Sequence, residues 1–347
     1  MDLRTSHGPD RSYNPKVFLR EQKNKIIKEH QYHMSTTSKY TLCIHGGAGV
    51  ITKEELSDAE RASIVNDLNA SLIAGEEVLK SGGSATDAVC AAVTALENSP
   101  NFNAGKGSVY ARSGKHYLEA SVMDGKTLKA GALANSQTIK NPVKMAKVLM
   151  DRDDIVFLSG EGVDAMAKDH GMEIVDNTWF DTPFRKEQWK MAKKMAGDQT
   201  FLDHTNFKKG TVGAVAIDSE GNLAAATSTG GMTNKIDGRI GDTAMIGCGT
   251  YANNKTCAVS CTGIGEMFIR ATVASRVSDM MEYGNISFKL AAQRSIDEQA
   301  ALEGDGGIIA IDRNGDFTMP YNSEGMYRGV VTQDDRKVYI WDTPENN

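Results

Sequence analysis

The stretch "NFKKGTVGAVAIDSEGNLAAATSTGG", residues 206–231, decides the fold of this chain. After a basic start it reads as two strands, "TVGAVAID" and "NLAAATST", joined by a turn at Gly221-Asn222. The first strand opens at Gly210-Thr211, where valine or isoleucine would serve a core better, and the second closes in the threonine cluster "TST". The two strand ends therefore raise the question of what their threonines do.

A threonine hydroxyl is a poor nucleophile unless a base removes its proton. When threonine is the first residue of a chain, its own α-amino group can be that base. The pKa of an α-amine, about 7.7 to 8.0, suits this role near neutral pH. Such a threonine arises by cleavage of a precursor, and a preceding glycine tolerates strained backbone angles and leaves room for attack on its carbonyl. Gly210-Thr211 is therefore a candidate cleavage site, although Gly-Thr-Val-Gly is also a common way to begin a strand.

The composition is that of an ordinary soluble globular protein, with 40% apolar and 24% charged residues in 347. The net charge of -6 argues against a general nucleic-acid or membrane-surface role. Five cysteines without a CxxC pair indicate reduced thiols and a cytoplasmic location. Neither the cysteines nor the histidines have metal-ligand spacing, and no apolar run approaches the ~18 residues that span a bilayer.

The chain divides into an N-terminal extension and one domain. Residues 1–38 are charged and lack the apolar centre of a secretory signal, so they are predicted to be a disordered extension, with Met34 as an alternative start. In the domain, residues 39–347, a lysine-rich polar stretch at 188–209 shows no clear strand, and "TAMIGCGTYA" at 243–252 reads as a strand. Apolar spacing predicts helices at 57–81, 84–100, 141–150, 265–282 and 287–302. Strands grouped between these helices favour stacked α/β/β/α layers.

Several separated motifs resemble the plant-type asparaginases and isoaspartyl peptidases, which are N-terminal-nucleophile hydrolases. They are "HGGAG" (45–49), "NFNAGKG" (101–107), "MDG" (123–125), "GTVGAVAID" (210–218), "ATSTGGMTNKIDGRIGD" (226–242) and "SCTGIGE" (260–266). The resemblance runs from about Tyr40 to near Asp342, and "VSCTGIGEMFIRA" with "NSEGMYRG" is most similar to the bacterial isoaspartyl peptidases. It implies a four-layer αββα sandwich of the N-terminal-nucleophile hydrolase type. It also implies cleavage into an α subunit ending at Gly210 and a β subunit, Thr211–Asn347, that stay together and pair as a dimer of αβ units.

The resemblance also implies roles for the matching residues. Thr211 would attack the side-chain carbonyl of asparagine, or the β-linked carbonyl of an isoaspartyl dipeptide, and form an acyl-enzyme that water hydrolyses to aspartate. Thr229 would support the nucleophile. Thr262 and Gly263 would form the oxyanion hole and also contact the substrate. Arg239 and Asp242 would form the clamp for the amino-acid head of the substrate. A guanidinium and a carboxylate three residues apart can hold the carboxylate and the ammonium of one amino acid.

Two further groups follow from the same resemblance. Asn103 would position the nucleophile, and Gly47 belongs to the cleavage region, while His45 would orient its loop. No catalytic cofactor is expected. A structural sodium ion would be held by the backbone carbonyl groups of Leu96, Glu97, Ser99, Phe102, Ala104 and Lys106.

The sequence leaves other functions open. A glycosylasparaginase shares the nucleophile chemistry, but "TSTGGMTNK" and the lack of a secretory signal disfavour it. A taspase-like endopeptidase is disfavoured because the Arg239 and Asp242 clamp suits a substrate with a free amino-acid head. An uncleaved, inactive binding or scaffold protein is the alternative of a different class. Nucleotide binding is disfavoured because neither "HGGAG" nor "GKGS" has Walker spacing. The preferred substrate and the cleavage rate stay open, partly because Ile264 stands where some relatives carry histidine.

Overall fold

The computed structural model describes residues 40–54, 56–196 and 210–345. The predicted extension at 1–38 lies outside these ranges, as does the part of the polar stretch at 197–209. The described strands are β1 (Thr41–Gly49), β2 (Leu118–Asp124), β3 (Ala130–Ser136), β4 (Phe157–Ser159), β5 (Val212–Ile217), β6 (Leu223–Thr229), β7 (Thr250–Ala252), β8 (Cys257–Gly263), β9 (Gly306–Asp312), β10 (Phe317–Thr318), β11 (Gly325–Thr332) and β12 (Arg336–Tyr339). The described α-helices are α1 (Asp58–Lys80), α2 (Ala85–Asn98), α3 (Pro142–Met150), α4 (Glu161–Asp169), α5 (Pro183–Ala196), α6 (Gly265–Ala271), α7 (Val273–Glu282) and α8 (Phe288–Ala300).

The strands form two sheets. The larger has eight strands in the order β12-β11-β1-β5-β6-β2-β3-β4, and the smaller has four in the order β10-β9-β8-β7. Strand β1 lies inside the larger sheet and pairs antiparallel with β11 on one side and β5 on the other. Strands β5 and β6 form the expected hairpin. Their residues are buried along their whole length, as expected for strands covered on both faces.

Three apolar clusters define four layers. One lies between the larger sheet and helices α1 to α3, a second lies between the two sheets, and a third lies between the smaller sheet and helices α6 to α8. Residues such as Val215, Ile309 and Met326 fill the space between the sheets. The prediction of an αββα sandwich is confirmed. The sandwich places the ends of β5, β6 and β8 beside one another.

Local signals in the sequence account for the starts of the two long helices. Ser57 accepts a hydrogen bond from the Glu60 N–H and forms a full capping box at α1, and Ser84 accepts from the Asp87 N–H at α2. No helix that the structure describes combines the length and apolar character needed to cross a membrane.

Two sequence-based expectations need correction. The helix predicted at 265–282 is two helices, because Thr272 adopts a left-handed backbone conformation with φ +49° between α6 and α7. The polar stretch, for which no strand was predicted, begins inside helix α5, whose lysines are good helix formers. Of the strand predicted at 243–252, only β7 is extended, since Met245 and Cys248 donate backbone hydrogen bonds to Asp242 and Met245 in successive turns.

Candidate active site

The β5–β6 hairpin brings the two threonine ends together. Its last ladder pair is Val212 with Ser228, so Thr211 comes to lie opposite Thr229. The Thr211 hydroxyl donates a hydrogen bond to Thr229 Oγ1 at 3.1 Å, and Thr229 Oγ1 also accepts from the Gly231 N–H at 3.0 Å. Both threonines are buried. A hydroxyl predicted to be a nucleophile therefore has a second hydroxyl fixed next to it.

The peptide before Thr211 is enclosed by a glycine turn. Strand β1 has an irregular register with β11 between His45 and Gly47. Gly47 lies against Gly210. A Cβ added to Gly47 would lie 2.4 Å from the Gly210 nitrogen, and φ of Gly47 is +110°, so no larger residue fits there without strain. On another side, a Cβ added to Gly210 would lie 2.9 Å from Thr262 Oγ1. The candidate cleavage site thus lies between Gly47 and the Thr262 hydroxyl.

Strand β8 ends with the two residues expected to stabilise an oxyanion. Thr262 Oγ1 is buried and has no hydrogen-bond partner among the residues that the structure describes. Leaving a buried hydroxyl unpaired costs about 1–3 kcal/mol, so such a group needs an explanation. Gly263 has φ +153°, and a Cβ there would lie 2.2 Å from the carbonyl oxygen of Asp305. The end of β8 therefore presents a free hydroxyl donor on a backbone path that requires glycine.

Arg239 and Asp242 lie together beside the start of α6. A Cβ added to Gly265 would lie 2.9 Å from both Arg239 Nη2 and Asp242 Oδ1, so the two charged groups flank one point. The Arg239 guanidinium donates two hydrogen bonds to Glu266, from Nε at 2.9 Å and Nη2 at 2.8 Å. Gly265 follows Gly263 by two residues, which connects the charged pair to the end of β8.

The Asp242 carboxyl is the more perturbed member of this pair. Burial raises its pKa to about 7, against the lowering effect of Arg239 and with a further raising effect from Glu119. Its Oδ2 atom has no hydrogen-bond partner in the described part of the chain. An unpartnered buried carboxyl beside an arginine is typical of a site that holds a charged ligand.

Asn103 connects the loop after α2 to the end of β6. Its side-chain amide donates to the Gly231 carbonyl at 2.6 Å, and its Oδ1 accepts from the Val109 N–H at 3.0 Å. Its backbone carbonyl accepts from the Gly230 N–H at 3.1 Å. Because the Gly231 N–H in turn donates to Thr229, Asn103 is linked to the threonine pair through Gly231.

The predicted sodium loop contains two glycines that lie close to carbonyl oxygens of the same loop. A Cβ added to Gly105 would lie 2.3 Å from the Glu97 carbonyl oxygen, and one added to Gly107 would lie 2.0 Å from that of Phe102, so the glycines leave room for carbonyl oxygens. The Lys106 ammonium donates to the Trp179 carbonyl and lies 4.9 Å from the centre of the Trp179 ring. The Lys106 charge therefore has a partner outside the predicted set of sodium ligands.

Two buried features were missed from the sequence. Lys235 and Glu119 form a fully buried ion pair at 3.2 Å, and the second Glu119 oxygen accepts from the Gly241 N–H at 2.9 Å, between Arg239 and Asp242. Burial lowers the pKa of Lys235, and the Glu119 carboxylate opposes this effect. The ion pair supports the segment that carries the charged clamp.

The second missed feature is a row of hydroxyl groups between the two sheets, reaching from Ser260 through Thr227 and Thr250 to Ser121. His45 joins this row to the backbone of Thr211. Polar residues at alternate positions of buried strands, as in "TST" and "SCT", were a sequence signal that could have revealed it.

Other site chemistries find less support. Among the described residues, no group of three or more His, Cys, Asp or Glu side chains could hold a metal ion. All five cysteines are buried free thiols. Burial raises the pKa of Cys90 and Cys257 to about 12, so neither is a reactive thiolate near neutral pH.

Comparison with known proteins gives the family of this chain. The model of the asparaginase family matches residues 38–340. The chain is 47% identical over 298 residues to the isoaspartyl peptidase of Salmonella typhimurium, covering 84% of this chain and 95% of that protein. It is 47% identical over 297 residues to the isoaspartyl peptidase of Escherichia coli, covering 84% and 92%. It is also 39% identical over 290 residues to the isoaspartyl peptidase/L-asparaginase of Danio rerio, covering 84% and 91%. The chain therefore belongs to the asparaginase family.

Proposed function

We propose that this chain is an autoprocessed threonine hydrolase that removes β-linked aspartyl residues from dipeptides and hydrolyses L-asparagine to L-aspartate and ammonia. The observation that carries the proposal is the set of three threonines around one peptide bond. Thr211 donates to Thr229, and Thr262 presents an unpartnered hydroxyl beside Gly210. The names of the relatives, isoaspartyl peptidase and isoaspartyl peptidase/L-asparaginase, support the same activity.

Autoprocessing would use the contacts already in place. Thr211 Oγ adds to the Gly210 carbonyl carbon, the amide C–N bond breaks, and the hydroxyl proton passes to the released α-amine. Water then hydrolyses the ester and frees the Thr211 hydroxyl. The adjacent Thr262 hydroxyl would donate to the oxygen that becomes negative in this step. The new α-amine is then the base for the same hydroxyl in the next reaction.

The substrate class follows from the clamp. An asparagine or β-aspartyl residue carries a free carboxylate and a free ammonium on one carbon. Arg239 and Asp242 flank one point beside Gly265, so they would hold these two charges and present the side-chain carbonyl to Thr211. The substrate of a taspase-like endopeptidase would have no free carboxylate and ammonium for this clamp to hold.

We further propose that two cleaved αβ units pair and that the enzyme works in the cytoplasm.

We also propose that a sodium ion is held by the backbone carbonyl groups of Leu96, Glu97, Ser99, Phe102, Ala104 and Lys106. The glycines of the loop and the separate partner of the Lys106 ammonium support this site. The ion would fix the loop that carries Asn103 and would take no part in bond breaking. Exchange of sodium for choline should then lower the melting temperature, measured by scanning fluorimetry. Equal melting temperatures in the two salts would contradict a structural sodium.

The first experiment is the intact mass of the purified protein after prolonged incubation at neutral pH, beside Thr211→Ala. We expect the wild type to give two fragments that end at Gly210 and begin at Thr211, and the variant to stay whole. An uncut wild type would contradict the hydrolase and favour the binding or scaffold protein.

Cleaved enzyme is then assayed on matched substrates. We expect release of aspartate from a β-aspartyl dipeptide and from asparagine, and none from the α-linked isomer of the same dipeptide. Hydrolysis of glycan-linked asparagine in preference to both would favour a glycosylasparaginase instead.

A further inference from the structure

His45 makes two hydrogen bonds inside the sandwich, and both of its ring nitrogens are used. Nδ1 lies 3.0 Å from the carbonyl oxygen of Thr211, and Nε2 lies 2.9 Å from Ser260 Oγ. The imidazole is fully buried in β1. A carbonyl oxygen only accepts, so Nδ1 carries the proton, and Nε2 accepts from the Ser260 hydroxyl.

The row of hydroxyl groups behind Ser260 is compatible with this tautomer. Since Ser260 donates to His45, Ser260 accepts from Thr227 at 2.7 Å, and Thr227 accepts from Thr250 at 2.6 Å. All four residues are buried. With this tautomer each of the three hydroxyls can donate in the direction of His45, and the Nδ1 proton is donated to the Thr211 carbonyl.

A glycine in β5 makes this contact possible. A Cβ added to Gly213 would lie 2.0 Å from Ser260 Oγ and 2.4 Å from His45 Nε2. The second glycine of "GTVG" is therefore needed for the imidazole to reach between the sheets.

The contact matters because Thr211 stands at the end of its strand. The β5–β6 ladder ends at Val212 and the β1–β5 ladder ends at Gly213, so neither ladder includes Thr211. In cleaved enzyme the nitrogen of Thr211 must stay free to accept a proton. Its carbonyl oxygen is then the backbone group left to fix the residue.

We propose that His45 is a positioning residue for the nucleophile: its Nδ1–H holds the Thr211 carbonyl and so fixes the α-amine and hydroxyl of the cleaved chain end. This inference rests on the proposed function. Burial lowers the pKa of His45 to about 3, so the imidazole is neutral at the pH of the reaction and acts as a donor to Thr211, not as its base.

The test is a pair of amides that replace one ring nitrogen each. His45→Asn places an N–H near the Nδ1 position, and His45→Gln places it near Nε2, where it meets Ser260 but not Thr211. We expect His45→Asn to keep kcat within about tenfold of the wild type. We expect His45→Gln to lose about 100-fold in kcat with KM within about threefold, since a misplacement of ~1 Å costs on that order. Rates are expressed per cleaved chain, and melting temperatures are recorded for both variants.

The matched control is the same pair of substitutions at His116. This imidazole is also fully buried, with Nδ1 3.1 Å from the Val109 carbonyl oxygen and Nε2 3.1 Å from Asp181. We expect His116→Asn and His116→Gln to lower the melting temperature without a difference in kcat between them.

Three results would overturn the inference: equal kcat for the two His45 variants, a larger kcat for His45→Gln, or the same Asn-over-Gln preference at His116. If wild-type protein fails to cleave or to hydrolyse a β-aspartyl dipeptide, the proposed function falls first. If the wild type is active and the two His45 variants are equal, the inference alone is wrong.

Discussion

Replacing Lys235 by methionine should destabilise the fold strongly, because it leaves the Glu119 carboxylate buried without its ammonium partner. Both side chains are fully buried at 3.2 Å, and the remaining Lys235 hydrogen bond goes to the Tyr117 carbonyl at 3.0 Å. Breaking a buried ion pair by removing one partner costs about 3–5 kcal/mol. At about 2 °C per kcal/mol for a large domain, the melting temperature should fall by roughly 6–10 °C.

The measurement is best made in a Thr211→Ala background, so that every variant is a single uncleaved chain. Lys235→Met is compared there with the double variant Glu119→Gln/Lys235→Met. The glutamine is neutral and still accepts from the Gly241 N–H, so the double variant should recover at least half of the lost stability. A Lys235→Met melting temperature within 2 °C of its background, or a double variant less stable than Lys235→Met, would refute the reasoning.

Three further predictions concern the site itself. Gly47→Ala should leave the chain whole under conditions that cleave the wild type, because its Cβ would lie 2.4 Å from the Gly210 nitrogen; intact mass decides. Thr262→Val should lower kcat about 10²–10³-fold per cleaved chain, as expected when an oxyanion donor is lost, with KM nearly unchanged in steady-state assays. An unchanged kcat would remove Thr262 from that role. Asp242 must be ionised to hold an ammonium, and its pKa is about 7. KM should therefore rise as pH falls below about 7, approaching tenfold per pH unit. Asp242→Asn should have a high KM without that pH dependence, and a wild-type KM constant between pH 5 and 8 would contradict the assignment.

The layers of this fold could be predicted from the sequence because local patterns and family motifs agree. Ser57 and Ser84 begin their helices as capping residues should. The break at Thr272 could not be predicted, because the apolar spacing continues through it while the backbone turns left-handed for one residue. The prediction of a strand at 243–252 was wrong for a similar reason. Its residues are apolar enough for a strand, but the segment forms turns that begin at Asp242.

In the site, the meeting of Thr211 and Thr229 follows from a hairpin and needs no knowledge of the rest of the chain. The contact of His45 with Ser260 depends on how two sheets pack face to face, which neither strand encodes alone. The Lys235–Glu119 pair is similar, since a lysine in a glycine-rich loop would ordinarily be expected at the surface.

The position of β1 has a consequence for the cleavage proposed at Gly210. This strand precedes Gly210 in the chain, yet both of its neighbours, β5 and β11, follow Gly210. Strand β2, also from the first fragment, pairs with β6 from the second. If the chain is cleaved as proposed, β1 of the first fragment lies between two strands of the second fragment, β11 and β5. The fragments could then separate only by breaking the centre of that sheet, so they would neither dissociate on dilution nor exchange with fragments of other molecules while folded.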